Sequence, residues 1–268
     1  MKKLQLLIIS IIVSLTINAQ NVGQKGGLIK NYIDINGNKQ GFWQKTHYNG
    51  KLKYEGVFKN NKPVGDFKRY NEKGELISIQ NFKENNNQSS VTFYDVFGKV
   101  EATGYYYNKQ KDSVWNYYEN DTILILQENY YRGKKNGLNT FYYKNGNICE
   151  IVNWKNGVKN GENKKYYLNG KLRIEMNYKN GLCEGKFASY NDSGQLLIKG
   201  FYANDLRQGE WVFYNQDGTI KEVVNYEKGV PDNKEEIEKK ETNELNSYEK
   251  NKGKFKEPKD QLEDMFNN

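Results

Sequence analysis

Histidine, cysteine, methionine and proline are nearly absent from this chain. In 268 residues there is one His, with two Cys, three Met and three Pro. A lone imidazole, His47, has no second nitrogen ligand or base to work with, so it reads as a hairpin surface residue and not as a catalytic one. Cys149 and Cys183 are the only cysteines, and no metal-ligand spacing surrounds them. No Gly-rich loop leads from a strand into a helix, which removes the phosphate cradle of nucleotide-binding folds. The acids recur without a fixed pair at catalytic spacing. The expectation is a non-enzyme with no catalytic residue, no metal site and no cofactor. What is plentiful is Tyr, with 22 residues in a chain that is 14% aromatic but only 36% hydrophobic. That balance favours strands over helices, and the abundant Gly and Asn suit tight turns.

Long apolar runs are also missing, with one exception. Leu4 to Ile17 is apolar except at Gln5, Ser10, Ser14 and Thr16, follows Lys2 and Lys3, and ends at Asn18, Ala19 and Gln20. A short basic region, an apolar stretch too short to span a membrane and a polar exit form a secretory signal peptide. Residues 1–19 are expected to be removed near Ala19, which makes the mature chain secreted, periplasmic or outer-membrane associated. No Cys lies near the cut, so no acyl anchor is expected. The formal charge of +8 becomes +6 once Lys2 and Lys3 are gone. Such a mild excess reads first as a solvated basic surface.

The remaining sequence repeats itself. GKFASYNDSGQLLIKGFYANDLRQ, from Gly185, is followed 24 residues later by GEWVFYNQDGTIKEVVNYEKG. A fixed period of this size marks a repeat array. Counting in steps of 24 from Gly41 gives unit starts at Gly41, Gly65, Ser89, Ser113, Gly137, Gly161, Gly185 and Gly209, without an insertion. Seventeen residues into the units stand Phe58, Phe82, Tyr106, Tyr130, Trp154, Tyr178, Tyr202 and Tyr226. Asn49-Gly50, Asn145-Gly146, Asn169-Gly170 and Asp217-Gly218 mark a first hairpin turn, from which only Asp121-Thr122 departs. Asn156-Gly157, Asn180-Gly181, Arg132-Gly133 and Lys228-Gly229 mark a second. Each unit therefore reads as a strand of ~6 residues, a turn, a strand of ~8 to 9 and another turn. Joined hairpins make an antiparallel meander, with sixteen strands spanning on the order of 75 Å. Residues 20–40 hold a partial capping unit, 41–232 the eight repeats and 233–268 a charged tail.

Two aromatic columns invite different roles. The late column, Phe58 to Tyr226, is complete, as a packing position should be when every unit leans on its neighbours. The early column, Trp43, Phe67, Trp115, Phe187 and Trp211, is broken at Asn139 and Asn163. An incomplete column fits partner contact better than universal packing, so these five are the candidate partner-binding residues. Trp211 and Tyr214 are an odd number apart, so either a bulge separates them or aromatics appear on both faces.

Units such as GENKKYYLNGKLRIEMNYKNG resemble MORN repeats, and most closely the bacterial MORN-repeat variant family, known by the label antitoxin component YwqK. The resemblance covers residues 28–230. It implies an all-β stack of hairpins, elongated and twisted or partly rolled, and a binding or scaffolding role. The antitoxin label implies a cytoplasmic toxin partner, which the export signal opposes. A protein or cell-envelope partner is the first expectation. A carbohydrate or cell-wall ligand is the alternative, because regular aromatics stack on sugar rings. Some MORN proteins imply anionic lipid surfaces, which the basic array would favour, and nucleic acid is disfavoured for an exported chain.

From Asn233 the pattern stops. Residues 233–268 hold eight Lys and ten acids, too polar to offset chain entropy, so this tail is expected to be disordered or loosely helical. Lys259 to Phe266, behind Pro258, is its one amphipathic stretch. Cys149 and Cys183 fall at opposite sheet edges, roughly 25 Å apart by strand rise, too far for a disulfide.

Overall fold

The computed structural model describes residues 29–83 and 87–251. The expected signal peptide, the first part of the expected capping segment and the stretch from Lys259 to Phe266 lie outside the described residues. One antiparallel sheet of 19 strands runs through the chain. It begins with β1 (Tyr32–Ile33), β2 (Lys39–Thr46), β3 (Leu52–Lys59), β4 (Lys62–Tyr70), β5 (Leu76–Phe82), β6 (Gln88–Tyr94), β7 (Val100–Tyr107), β8 (Gln110–Glu119) and β9 (Ile123–Tyr131). One strand interrupted at Asn136 forms β10 (Lys134–Lys135) and β11 (Gly137–Tyr142). The array continues with β12 (Ile148–Lys155), β13 (Val158–Tyr166), β14 (Leu172–Lys179), β15 (Leu182–Tyr190), β16 (Leu196–Ala203), β17 (Leu206–Tyr214), β18 (Ile220–Glu227) and β19 (Val230–Pro231). Strands pair with their neighbours along the chain, β9 with both β10 and β11, and the sheet does not close. The fold is the all-β meander that the 24-residue period predicts.

The turns carry the strain that their residues tolerate. Asn180 and Gly181 sit at φ 50° and 93°, the paired positive values of a type I′ turn that continues the strand twist. The irregular fourth unit is rebuilt one residue earlier, with Asn120 and Asp121 at φ 52° and 77°. Between units the ladder slips at the unit-start residue. Tyr178 faces Cys183 while Met176 faces Phe187, so the bulged strand holds two extra residues around Gly185 at φ 101°. The junction between β5 and β6 differs, because Phe82 faces Ser89 directly and the register does not slip.

Alternation sorts the side chains between two faces. Tyr54 stacks on Phe67 and Phe58 meets it edge-on, which puts these rings on one face. Glu55 points the other way and accepts bonds from Gln44 Nε2 (2.9 Å) and Tyr70 Oη (2.8 Å). Glu175 and Tyr190 repeat this pairing at 2.7 Å. Between Phe213 and Tyr214 the register also shifts. Both expected devices are therefore present: a bulge near the turn and aromatics on both faces.

The charged tail contains α1 (Lys234–Asn251). Glu235 and Glu236 in its first turn and Lys250 in its last complement the helix dipole. Lys234 and Glu238 pair one turn apart at 3.5 Å. These local terms hold a helix in a segment whose composition alone reads as disordered or loosely helical. Among the described residues no helix is long and apolar enough to cross a membrane.

Candidate functional site

The early column is the core. Trp115 and Trp211 are each 1% exposed and Phe67 is 7% exposed. Trp43 and Phe187 are half-buried, and Phe187 stacks on Trp211 with ring centroids 5.3 Å apart. A sealed ring offers a partner no surface, so among Trp43, Phe67, Trp115, Phe187 and Trp211 the assignment to partner contact is corrected for Phe67, Trp115 and Trp211. The late column, Phe58 through Tyr226, is half-buried in every unit and braces the early one edge-on, as Tyr202 braces Trp211 at 5.0 Å.

The gaps in the early column have a steric cause. The fifteenth residue after each unit start lies between the early residue of its own unit and that of the next. Gly56, Gly104 and Gly200 occupy that place before Phe67, Trp115 and Trp211, and a Cβ on any of them would lie 2.3 Å from that ring, whereas Met176 occupies it before Phe187. Val152 occupies it between Asn139 and Asn163, in register with both. A missing side chain thus goes with three of the large rings, and the Val152 side chain with the two smaller Asn residues. Asn139 and Asn163 are 0% and 1% exposed.

The middle of the array is accordingly polar. Glu128, 5% exposed, accepts from Tyr130 Oη (2.8 Å) and ion-pairs with Lys135 (2.5 Å), while Lys111 Nζ donates to Tyr117 Oη (2.6 Å). Burial raises the Glu128 pKa, but the bonds from Lys135, Tyr130 and Tyr117 outweigh it and leave the carboxyl below its ordinary value. Burial first and Glu128 second push Tyr130 up to about 12. Asn163 Nδ2 donates to Glu150 (2.9 Å), whereas Asn139 Nδ2, Asn163 Oδ1 and the Trp154 indole N–H are buried without a partner.

A column of cations, unforeseen from the sequence, covers the ring row. Lys39, Lys111, Lys135, Lys159 and Arg207 lie 4.8–5.2 Å from the rings of Phe58, Tyr130, Trp154, Tyr178 and Tyr226, respectively, with Lys135 at 4.9 Å. Each precedes its ring by 19 residues, the signal that would have found them. The same position holds Pro63 before Phe82, Asn87 before Tyr106 and Cys183 before Tyr202. Around Pro63 and Asn87 a cleft of about 570 Å³ opens, lined by Phe82, Pro63, Asn60, Asn108, Lys62 and Lys109 among others.

His47 is structural: its Nε2 lies 3.0 Å from the Tyr70 carbonyl. Tyr143 and Tyr167 occupy the same place in later units and donate to the carbonyls of Tyr166 and Tyr190, each at 2.8 Å. Cys149 on β12 and Cys183 on β15 are free thiols with two strands between them. Among the described residues no group of three or more His, Cys, Asp or Glu is placed to hold a metal ion.

One exposed feature repeats along the C-terminal half. Val158, Leu182, Leu206 and Val230, just after the second turns of consecutive units, are 44%, 42%, 47% and 55% exposed. Two strands per unit space them by ~9.6 Å. The earlier units carry Lys62, Gln110 and Lys134 at this position.

Comparison with curated proteins finds no match. Solved structures of low similarity include a TcdB2-TccC3-Cdc42 complex (14% identity, 72% of this chain and 13% of that chain, TM-score 0.19). Another is a Photorhabdus luminescens Tc holotoxin pore (14% identity, 68% of this chain and 12% of that chain, TM-score 0.18). This chain thus spans about one-eighth of the length of those chains. The MORN repeat variant family matches residues 63–84, 135–156, 159–180, 184–204 and 207–228. Those five matches keep the 24-residue phase of the hairpins described above, and the chain belongs to the MORN-repeat proteins, repeat-built for binding or scaffolding.

Proposed function

We propose that the chain is an exported, non-catalytic scaffold that holds a protein partner of the cell envelope along its C-terminal units. The observation that carries this reading is the ridge of Val158, Leu182, Leu206 and Val230, exposed apolar side chains at one position of four consecutive repeats. Isolated exposed apolar residues need no explanation, but a contiguous, evenly spaced set marks an interaction surface. The opposite face is already committed to the ring row and its cations. Export rests on the order of Lys2-Lys3, the apolar stretch and Ala19.

A photo-crosslinking side chain at Leu182 or Leu206, in protein expressed in cells with an envelope, tests it. The expected result is one discrete protein adduct from both positions and none from Lys62 or Lys134. Equal labelling at all four positions, or none, would remove the ridge as the binding surface. Intact mass of the extracytoplasmic protein should show a start at or near Gln20, and a retained Met1 there would count against export.

A further inference from the structure

On the face opposite the rings, one row of directly opposed residues crosses the sheet without a break. It starts at Gln44 and Glu55, and passes through Lys68 and Ile79 to Thr92, Thr103, Asn116, Gln127, Thr140 and Ile151. It continues through Lys164, Glu175, Ala188 and Lys199 to Val212 and Val223. Charge is spread unevenly along it. Glu55 opposes Lys68 near one end, and Lys164 opposes Glu175 beyond the middle. From Ile79 to Ile151 no residue of the row is charged, in a chain that is 28% charged. The adjoining row repeats the contrast. Ser90 opposes Tyr105, Val114 opposes Asn129 and Leu138 opposes Asn153. To either side Asp66 opposes Asn81 and Glu162 opposes Asn177. Strands β6 to β9, β11 and β12 thus carry two uncharged rows, on the order of 24 Å long.

Two tyrosines stand out from these strands. Tyr105 is 43% exposed and Tyr131 is 55% exposed. Tyr105 on β7 opposes Asp112 on β8, and Tyr130 on β9 opposes Ser113. Tyr105 and Tyr131 are therefore nearly level, two strands and ~9.6 Å apart. The bulge on β8 sets Asp112 between them, and its carboxylate accepts from the Arg132 backbone N–H and the Ser113 hydroxyl, each at 3.0 Å. The Arg132 guanidinium lies 5.1 Å from the Tyr131 ring. Leu138, 50% exposed, extends the apolar surface. Beside the tyrosines Gln127 Nε2 donates to Asn116 Oδ1 at 3.0 Å, which leaves the Gln127 carbonyl and the Asn116 amide N–H groups for a ligand.

We propose that this face of the third to fifth units binds a neutral β-1,4-linked glycan lying across the strands. Tyrosine rings offer apolar faces to the C–H faces of pyranoses and keep a polar tip in water. Their spacing approximates two residues of a β-1,4-linked chain, which presents an equivalent ring face at every second residue. Thr hydroxyls and the Asn and Gln amides both donate and accept, as the hydroxyls of a sugar do. Charge is matched as well. Neither row holds a cation along these strands, and Asp112 between the rings repels an acidic glycan. The site is on different units from most of the apolar ridge, and it takes a ligand of another class.

Calorimetric titration of the full chain with cellohexaose tests the proposal, beside maltohexaose, whose α-linkage curves the chain, and an oligogalacturonate. Cellohexaose should bind with an affinity indifferent to added salt, about tenfold or more tighter than either control. Tyr105→Ala and Tyr131→Ala, at exposed positions, should each weaken it about tenfold while the melting temperature stays unchanged. Gln127→Glu keeps the shape of the row, adds a charge and should weaken it severalfold. Absence of cellohexaose binding would overturn the proposal. So would equal binding of maltohexaose or oligogalacturonate, or indifference to both tyrosine variants. Leu206→Lys on the ridge should leave this titration unaltered, and loss of cellohexaose binding in that variant would count against the site.

Discussion

The last two units and the fifth and sixth share a backbone plan but not an interior. Around Gly200, Phe187 and Trp211 stack at 5.3 Å and Tyr202 closes them edge-on. Around Val152, Asn139 and Asn163 take the places of those rings, and three buried polar atoms nearby have no partner. The strands, turns and bulges run on through both. The hairpin lattice is therefore set by turn chemistry and backbone pairing, and what fills it is negotiated between neighbouring units by volume. Apolar burial stabilises the end far more than amides stabilise the middle, since a buried amide gains only what its hydrogen bonds return.

That contrast is most directly broken at Trp211. Trp211→Ala should cost about 3–5 kcal/mol, the usual loss for a large buried aromatic. Asn163→Ala should cost about 1 kcal/mol, because one bond to Glu150 is lost and one orphaned carbonyl oxygen goes with it. Denaturant midpoints of the two variants decide. Equal losses would mean that the polar middle is as strongly packed as the aromatic end.

The middle should also answer to acid, through a buried carboxyl. Glu128 has a folded pKa below its ordinary 4.5. A depressed carboxyl contributes stability that is fully present above that ordinary value and is lost as pH falls through the folded one. Glu128→Gln should remove about 1.5–3 kcal/mol at pH 7, as for hydrogen bonds to a charged group. Below about pH 4 it should differ less from the parent. Stability measured from pH 7 to pH 2 checks this, and a variant that tracks the parent throughout would place no weight on the Glu128 cluster.

The volume rule can be sharpened by transplanting it. Asn163→Phe alone puts a ring against Val152 and should cost about 1–3 kcal/mol, as overpacking does. Adding Val152→Gly recreates the arrangement around Gly200 and should recover most of that loss. The double-mutant cycle reads the coupling directly, and simple additivity would show that the pairing of ring and glycine is incidental.

Most of the fold was legible because it repeats. Eight units in phase fix strands and turns better than any one unit does, and Asn180-Gly181 declared its turn type outright. The interior was misread for a physical reason. Completeness of a column suggests burial, yet the column of Tyr178 and Tyr202 is complete and half-buried while Trp211 is sealed. Only comparison of two positions at once, Gly200 with Trp211 and Val152 with Asn163, exposes the rule, and both pairs are plain in the sequence. The covering cations were missed because Lys111 and Arg207 look like ordinary surface charge until the ring 19 residues later is known to lie beneath. Composition leaves the tail open between disorder and loose helix, because dipole and i,i+4 terms are local and composition does not register them.

The smallest expected effect tests how the two regions stay joined. Tyr167 Oη donates to the Tyr190 carbonyl, and Tyr143 Oη to that of Tyr166, each at 2.8 Å, so each phenol ties one unit's loop to the next unit's strand end. His47 makes the same tie to Tyr70 with an imidazole. In the polar middle such ties stand in for ring packing, and toward the aromatic end they merely add to it. Tyr167→Phe removes one neutral hydrogen bond and should cost about 0.5–1.5 kcal/mol. Tyr143→Phe should cost the same bond but sit wholly within the weaker region, so local opening should follow it more readily. Amide hydrogen exchange distinguishes the two. Faster exchange confined to β11, β12 and β13 in Tyr143→Phe, with β16 to β18 unaltered in both variants, is the expected pattern. Uniform acceleration along the whole array would mean that the aromatic end has no independent stability, and that the sheet opens as one unit whatever fills its interior.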